Sequence, residues 1–146
     1  MGVFVGIGAA DKIYQINSPE DLIKFRESVN CGEYEEPYKG ETVYLTADID
    51  LSRESNWEPI GDDRGVEDTK IFKGTFDGQG HTISKLTIHD DEGSSSYAKY
   101  WDHGLFGATG RATTIKNLVL NKVDAYTEGS GSSSTNLVSI GSLIGW

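Results

Sequence analysis

The sequence predicts an all-β solenoid that carries one helix, and three observations lead there. Apolar residues recur at every second position over short runs, which is the period of a strand with one buried face. Glycine supplies 18 of the 146 residues, about 12 % against a usual 7 %, and with abundant Ser, Thr and Asp this marks a chain rich in turns. The string Thr-Ile-x-x-Leu-x-apolar occurs twice, at Thr82–Ile88 and Thr114–Leu120. Within it the apolar positions are spaced by three and then two, so a flat strand cannot keep them on one face. A strand that turns a corner between Ser84 and Lys85 can.

Composition narrows the function classes. Residues 1–146 read as a single domain, long enough to bury a core without disulfides. There are 13 Lys+Arg against 23 Asp+Glu, a net charge of −10. That sign repels phosphate backbones and anionic lipid surfaces, which argues against nucleic-acid and membrane-surface partners. Cys31 is the single cysteine, so neither an internal disulfide nor a cysteine-based zinc site is available. No apolar run approaches the roughly 18 residues of a membrane span.

Residues 1–12 begin with an uncharged stretch in which Val3, Val5 and Ile7 alternate with Gly2, Phe4 and Gly6, the pattern of an N-terminal strand. The small residues Gly8, Ala9 and Ala10 also fit the tail of a secretory signal, although no basic segment precedes them. Ile13–Ile16 reads as a second short strand. Residues 18–31 then form the one clear helix, spanning about Pro19–Asn30. Ser18 is a suitable N-cap, Pro19 takes the first helical position, and Asp21 sits near capping-box spacing. Leu22, Phe25 and Val29 make one apolar stripe, with Glu20, Lys24 and Glu27 on the other side. Gly32 can adopt the left-handed conformation that ends a helix. A helix of this kind covers something apolar.

Residues 42–146 read as coils of a solenoid. Val43, Leu45, Ala47, Ile49 and Leu51 alternate with polar residues, with a bend expected inside the run. Trp57, Pro59, Ile60 and Gly61 follow as a turn. The two Thr-Ile strings lie 32 residues apart, Gly74-Thr75-Phe76 is echoed 30 residues later by Gly104-Leu105-Phe106, and Gly141-Ser142-Leu143 follows after another 37. Near-equal spacing of short strands and corners winds a chain into stacked coils that share one interior. Residues 62–70, 89–99 and 126–136 lack an apolar period and are rich in Ser, Gly and acids, so they read as loops between coils.

Three segments together resemble a known family. Thr46-Ala47-Asp48-Ile49-Asp50-Leu51, Trp57-Glu58-Pro59-Ile60-Gly61 and Phe72–Ile83 are similar to the entry into the coils of bacterial cell-surface proteins with GLUG motifs. Gly104-Leu105-Phe106-Gly107 with Ile115-Lys116-Asn117-Leu118, and then Gly141–Gly145, resemble the repeat itself. The likeness runs from about Ile13 to Trp146. It implies a right-handed parallel β-helix whose N-terminal end is closed by the helix, an extracellular or surface location, an adhesin-like role and no shared catalytic residues. The chain departs from the family in carrying only about two recognisable repeats.

Several residues invite a chemical reading. Asp77-Gly78-Gln79-Gly80-His81 is similar to strings in pectin-degrading β-helix enzymes, but a tight corner needs the same residues, with glycine at positive φ and aspartate capping the turn. Asp48 and Asp50 share one strand face, as many solvated acids do, and paired carboxylates at a suitable separation hydrolyse glycosides. Tyr97, Tyr100, Trp101 and His103 form an aromatic cluster beside acids, the best candidate for a glycan- or protein-binding surface. The plainer alternative is that the aromatics fold back over a coil edge. Asp62, Asp63, Glu67 and Asp68 supply the hard oxygens that Ca²⁺ prefers, without EF-hand or nonapeptide spacing. His81, His89 and His103 have no metal-ligand spacing. No cofactor is expected otherwise.

The ends of a coil stack expose apolar interior and unpaired backbone. At the C-terminal side these residues are Ile140, Leu143, Ile144 and Trp146. Val3, Val5 and Ile7 form an apolar strand of matching composition, so head-to-tail self-association is one expectation, the alternatives being that both termini pair inside one molecule or that the protein continues past Trp146; neighbouring coils or a host glycan or protein are further partners. The expectation is therefore a non-catalytic extracellular structural or adhesive module. The alternative is a carbohydrate-active β-helix, a polysaccharide lyase or hydrolase, or a glycan-binding module.

Overall fold

The computed structural model describes residues 11–61, 70–90, 101–127 and 138–145. Within them lie one helix and eleven short strands. In order these are β1 (Gln15–Ile16), α1 (Pro19–Asn30), β2 (Thr42–Leu45), β3 (Ile49–Asp50), β4 (Thr75–Asp77), β5 (Thr82–Ser84), β6 (Thr87–Asp90), β7 (Trp101–His103), β8 (Thr114–Lys116), β9 (Val119–Asn121), β10 (Asp124–Thr127) and β11 (Val138–Ile140). The expectation of a mostly-β chain with one helix closing an end holds.

The helix forms for the reasons its sequence suggests. Ser18 is extended (φ −151°) and its hydroxyl accepts the Asp21 amide at 3.2 Å. The Asp21 carboxylate returns the favour to the Asn17 amide at 3.0 Å, so two orphan donors are satisfied at the helix start. Gly32, at φ +74°, follows the last turn. Leu22, Phe25 and Val29 are buried, and Phe25 lies edge-on to Tyr38 and Phe72, with ring centroids 5.2 and 5.4 Å apart. The helix is thus a lid whose apolar stripe closes on the aromatic interior.

Every strand pairing among the described residues is parallel. One sheet has the order β1-β2-β4-β8 and a second the order β3-β5-β9, while β6 pairs with β10 and β7 with β11. The chain therefore visits the same sheets in the same sequence and lays each new strand beside the one from the pass before. Inward positions line up across passes: Val43 opposes Phe76, which opposes Ile115, and Ile49 opposes Ile83, which opposes Leu120. All but Ile115 and Leu120 of these are at most 1 % exposed. Phe106 packs in the interior against Phe72, tilted at 5.7 Å, and against Phe76, edge-on at 5.5 Å between centroids.

The register corrects the repeat read from sequence. Ile115 stands beside Phe76 and not beside the position of Ile83; the partner of Ile83 is Leu120. The strings 82–88 and 114–120 each span strand, corner and strand, but the first spans the β5–β6 corner and the second the β8–β9 corner. Every pass holds two such corners, so the same local pattern recurs one corner out of step. The true repeat from the third pass to the fourth is 37 to 39 residues, as in Phe72 to Thr109 and Phe76 to Ile115. The spacing of Gly104 to Gly141 agrees with it, since the Gly141 amide binds the His103 carbonyl at 2.8 Å. Gly74 belongs elsewhere, its carbonyl accepting from Thr114.

Other boundaries also move. The alternating run 43–51 breaks as expected, into β2 and β3. The first pass already begins at β1, so pairing starts before residue 42 and α1 is inserted into a turn. Strands continue through His89–Asp90 and Tyr126–Thr127, inside the expected loops 89–99 and 126–136, because β6 and β10 satisfy each other's backbone over four residues. Parallel backbone pairing overrides the local polarity there. Trp57 and Ile60 are buried, not turn ballast. Trp57 Nε1 donates to the Leu105 carbonyl at 3.1 Å, and Ile60 bridges Phe106. The expected N-terminal strand falls mostly outside the described residues, and Asp11–Lys12 is not in a strand.

Corners place backbone in the left-handed region. Gln79, Lys85, Asn117 and Lys122 have φ between +49° and +60°, and Lys85 and Lys122 occupy equivalent corners of successive passes. Gly78 sits at a close approach between passes: a Cβ there would collide with the Asn117 carbonyl oxygen and fall 2.7 Å from the Leu118 Cα of the next pass. Tyr38 ties the lid down. Its buried hydroxyl accepts the Ile13 amide at 2.8 Å and shares a 2.6 Å hydrogen bond with Ser28 Oγ.

Replacing Tyr38 by Phe leaves the Ile13 amide and the Ser28 hydroxyl short of a partner. It is expected to cost about 1–3 kcal/mol, measured by chemical denaturation. Gly78→Ala is expected to destabilise more than Gly80→Ala, because Gly80, although at φ +78°, has no atom within 4 Å of an added Cβ.

Candidate functional site

Three outward features of the coils carry polar or apolar chemistry. The first is a line of aspartates at the corners. Asp48 Oδ1 accepts the Thr82 amide at 2.9 Å and lies 3.2 Å from His81 Nδ1. Asp50 pairs with Lys85 at 2.9 Å and accepts the Ser52 amide at 2.8 Å. Asp77 Oδ1 accepts from the Gln79 amide and from Asn117 Nδ2, each at 3.0 Å. In all three cases an acid of one pass holds a group of the next pass. These bonds to the charged form draw the carboxyl pKa values down, chiefly the Thr82 amide for Asp48, Lys85 for Asp50 and the Gln79 amide for Asp77.

The arrangement fastens pass to pass, and it engages Asp48, Asp50 and Asp77, the carboxylates whose sequence context resembles a catalytic one. Asp77 serves its corner and has its oxygens engaged by Gln79, Asn117 and, at 3.8 Å, Lys116. His81 is spent on Asp48.

The second feature sits at the β6–β10 edge. The His89 and Tyr126 rings stack with centroids 4.0 Å apart, and Tyr126 Oη lies 3.0 Å from His89 Nδ1. Asn56 grips the His89 backbone from both sides, accepting its amide at 2.9 Å and donating to its carbonyl at 2.7 Å. Tyr126 remains 41 % exposed. No spacing pattern in the sequence announces this pair, which only the 37-residue register brings together.

The third feature is the final pass. Ile115, Leu118, Leu120, Val123, Ala125 and Leu143 point toward the interior yet are only partly buried. Their counterparts one pass earlier, Phe76, Ile83, Leu86 and Ile88, are sealed. Among the described residues, β8, β9, β10 and β11 each have a strand neighbour on one side alone. The expected self-association residues on this side are Ile140, Leu143, Ile144 and Trp146. The structure puts Ile140 in β11, packs Leu143 on the core and leaves Ile144 37 % exposed while bridging Phe106. Among the described residues the half-buried row runs along β8–β10, and Trp146 lies outside them.

The remaining expected sites are placed as follows. Trp101 and His103 bound β7, and His103 accepts Gly141 through its carbonyl. Tyr97 and Tyr100 lie outside the described residues, as do Asp62, Asp63, Glu67 and Asp68 of the expected Ca²⁺ loop, Val3, Val5 and Ile7, and Trp146. Among the described residues no three His, Cys, Asp or Glu side chains gather around a metal position, and no helix is long and apolar enough to cross a membrane.

Lowered aspartate pKa values make stability depend on pH. The contribution is present above the usual carboxylate value near 4 and is lost as pH falls below it, through the folded-state values. The melting temperature is therefore expected to drop on acidification below about pH 4, and less steeply in a variant combining Asp48→Asn, Asp50→Asn and Asp77→Asn. Equal slopes would remove these groups from the acid response.

Comparison with known proteins adds one likeness. The chain is 34 % identical over 126 residues to Halomucin of Haloquadratum walsbyi, a match that covers 81 % of this chain. The chain spans only 1 % of the length of that relative. No protein-family profile matches the chain, and no solved structure matches it.

Proposed function

We propose that the chain is a non-catalytic structural module of a cell-surface or extracellular protein, built as a right-handed parallel β-helix of the GLUG type. The observation that carries this reading is the use of the corner acids. Asp48, Asp50 and Asp77 hold one pass to the next, which leaves the outer faces of the coils without a constellation of idle catalytic groups among the described residues. The likeness to Halomucin supports a cell-surface setting. A segment that matches 1 % of a very long relative also suits a module whose work is to extend and display, and adhesion is the expected outcome of that display.

A net charge of −10 sets exposed acids against one another, and added salt screens that repulsion. The melting temperature is expected to rise with NaCl concentration.

Activity and binding assays decide between this reading and its rival. Incubation with acidic and neutral polysaccharides is expected to release no new chain ends, and labelling of intact host cells by an antibody to the chain is expected to succeed. Turnover that disappears in Asp77→Asn would establish the carbohydrate-active alternative. Glycan-array binding lost in Trp101→Ala would establish a binding module using Tyr97, Tyr100, Trp101 and His103.

A further inference from the structure

The outer face of the β1-β2-β4-β8 sheet is built from outward positions that the core does not use. Alternation along these strands buries Ile16, Val43, Leu45 and Phe76 and turns their neighbours to the outside. Register sets the outward residues in two rows. Thr42, Thr75 and Thr114 stand side by side in one, and Gln15, Tyr44, Asp77 and Lys116 in the other. The single acid and the single base in these rows lie 3.8 Å apart. The rows therefore carry no net charge, on a chain whose net charge is −10.

Several polar side chains elsewhere on the coils are spent within the fold. Asp48 and Asp50 hold the next pass, and the hydroxyls of Thr46, Ser84 and Thr113 donate to main-chain carbonyls. By contrast, among the described residues the hydroxyls of Thr42, Tyr44, Thr75 and Thr114 have no hydrogen-bond partner. Tyr44 is 38 % exposed. Its exposure owes nothing to either end of the stack, because β2 has a strand on both sides, β1 and β4.

Idle hydroxyls beside an exposed ring match the two surfaces of a neutral sugar. Its rim of hydroxyls pairs with hydroxyls and amides, and its C–H face packs on an aromatic ring. Adjacent strands lie about 4.8 Å apart, close to the advance of one pyranose along an extended polysaccharide. The distance from β1 to β8 is about 14 Å, so the rows repeat in step with a run of about three sugars. A polyanionic glycan is disfavoured by the charge of the whole chain.

We infer that this face binds a neutral polysaccharide laid along the coil axis, with one pyranose ring on Tyr44 and its hydroxyls bonded to Thr42, Thr75 and Thr114. The inference rests on the surface-module reading and names the ligand class of its adhesion. The face binds without turnover, since Asp77 is engaged at its corner by Gln79 and Asn117.

Affinity electrophoresis of the full chain tests this, in gels that hold soluble derivatives of cellulose, chitin or mannan, with polygalacturonate as the acidic arm. The expected result is retardation by at least one neutral polymer and none by polygalacturonate. Tyr44→Ala should weaken the retardation constant about tenfold, while Tyr44→Phe keeps most of it. The combination Thr42→Val, Thr75→Val and Thr114→Val preserves the β-branched shape, removes the hydroxyls and should weaken binding as well. Tyr126→Ala, which removes an exposed ring elsewhere, should behave as the parent. Tyr44 faces solvent, so the melting temperature of its variants should stay close to that of the parent. Absence of retardation by every neutral polymer overturns the inference, and so does binding that survives Tyr44→Ala or a preference for polygalacturonate. Each of these results leaves the structural-module reading standing, whereas release of new chain ends from any of the polymers would displace that reading.

Discussion

Parallel pairing between successive passes is the constraint on which the rest of this structure depends. A parallel ladder requires each strand to arrive from the same direction as its neighbour, so the chain must travel all the way round before it pairs. Once it does, inward side chains at matching positions fall in line: Val43, Phe76 and Ile115 in one sheet, Ile49, Ile83 and Leu120 in another. The interior is then a column of stacked apolar residues, and each pass buries the one before. By the same logic Ile115, Leu118 and Leu120 are only half-buried, because among the described residues no strand lies on their other side.

Corners are where that constraint meets the limits of backbone geometry. Positive φ at Gln79, Lys85, Asn117 and Lys122 reverses the chain between short strands, at positions where asparagine and glycine would be the easy choices. The structure compensates for this with hydrogen bonds across passes, so that Asp77 supports both its own turn at Gln79 and the Asn117 corner one pass later. Tight corners and polar fastening are one device. The aspartates are needed there because a corner has amides that no strand ladder can satisfy.

The closed end follows a different solution. Helix α1 contributes an aromatic ring in place of a strand, and Phe25 reaches Phe72 and Phe76 of a later pass. Arg26 lies 4.6 Å over the Trp57 ring and Asn30 holds both the Pro59 carbonyl and the Gly61 amide. The helix is anchored on the Trp57–Gly61 segment as well as on the interior.

The amino-acid sequence settled those features that depend on near neighbours. The helix, its Ser18 cap and the Gly32 exit are written in four or five consecutive residues each. The bend between Leu45 and Ile49 and the corner at Lys85 follow from apolar spacing that no straight strand can satisfy. What it did not reveal was which corner lies over which. Ser84-Lys85-Leu86 and Lys116-Asn117-Leu118 are locally alike, so composition and spacing alone align them, although Asn121-Lys122-Val123 is the segment beside the former. Register was decided by the tertiary structure, because the interior accepts only the stacking in which Phe76 meets Ile115 and Ile83 meets Leu120. The His89–Tyr126 pair follows from that same choice. Contacts between residues nearly forty positions apart arise from a whole circuit of the chain, and no local pattern encodes its length.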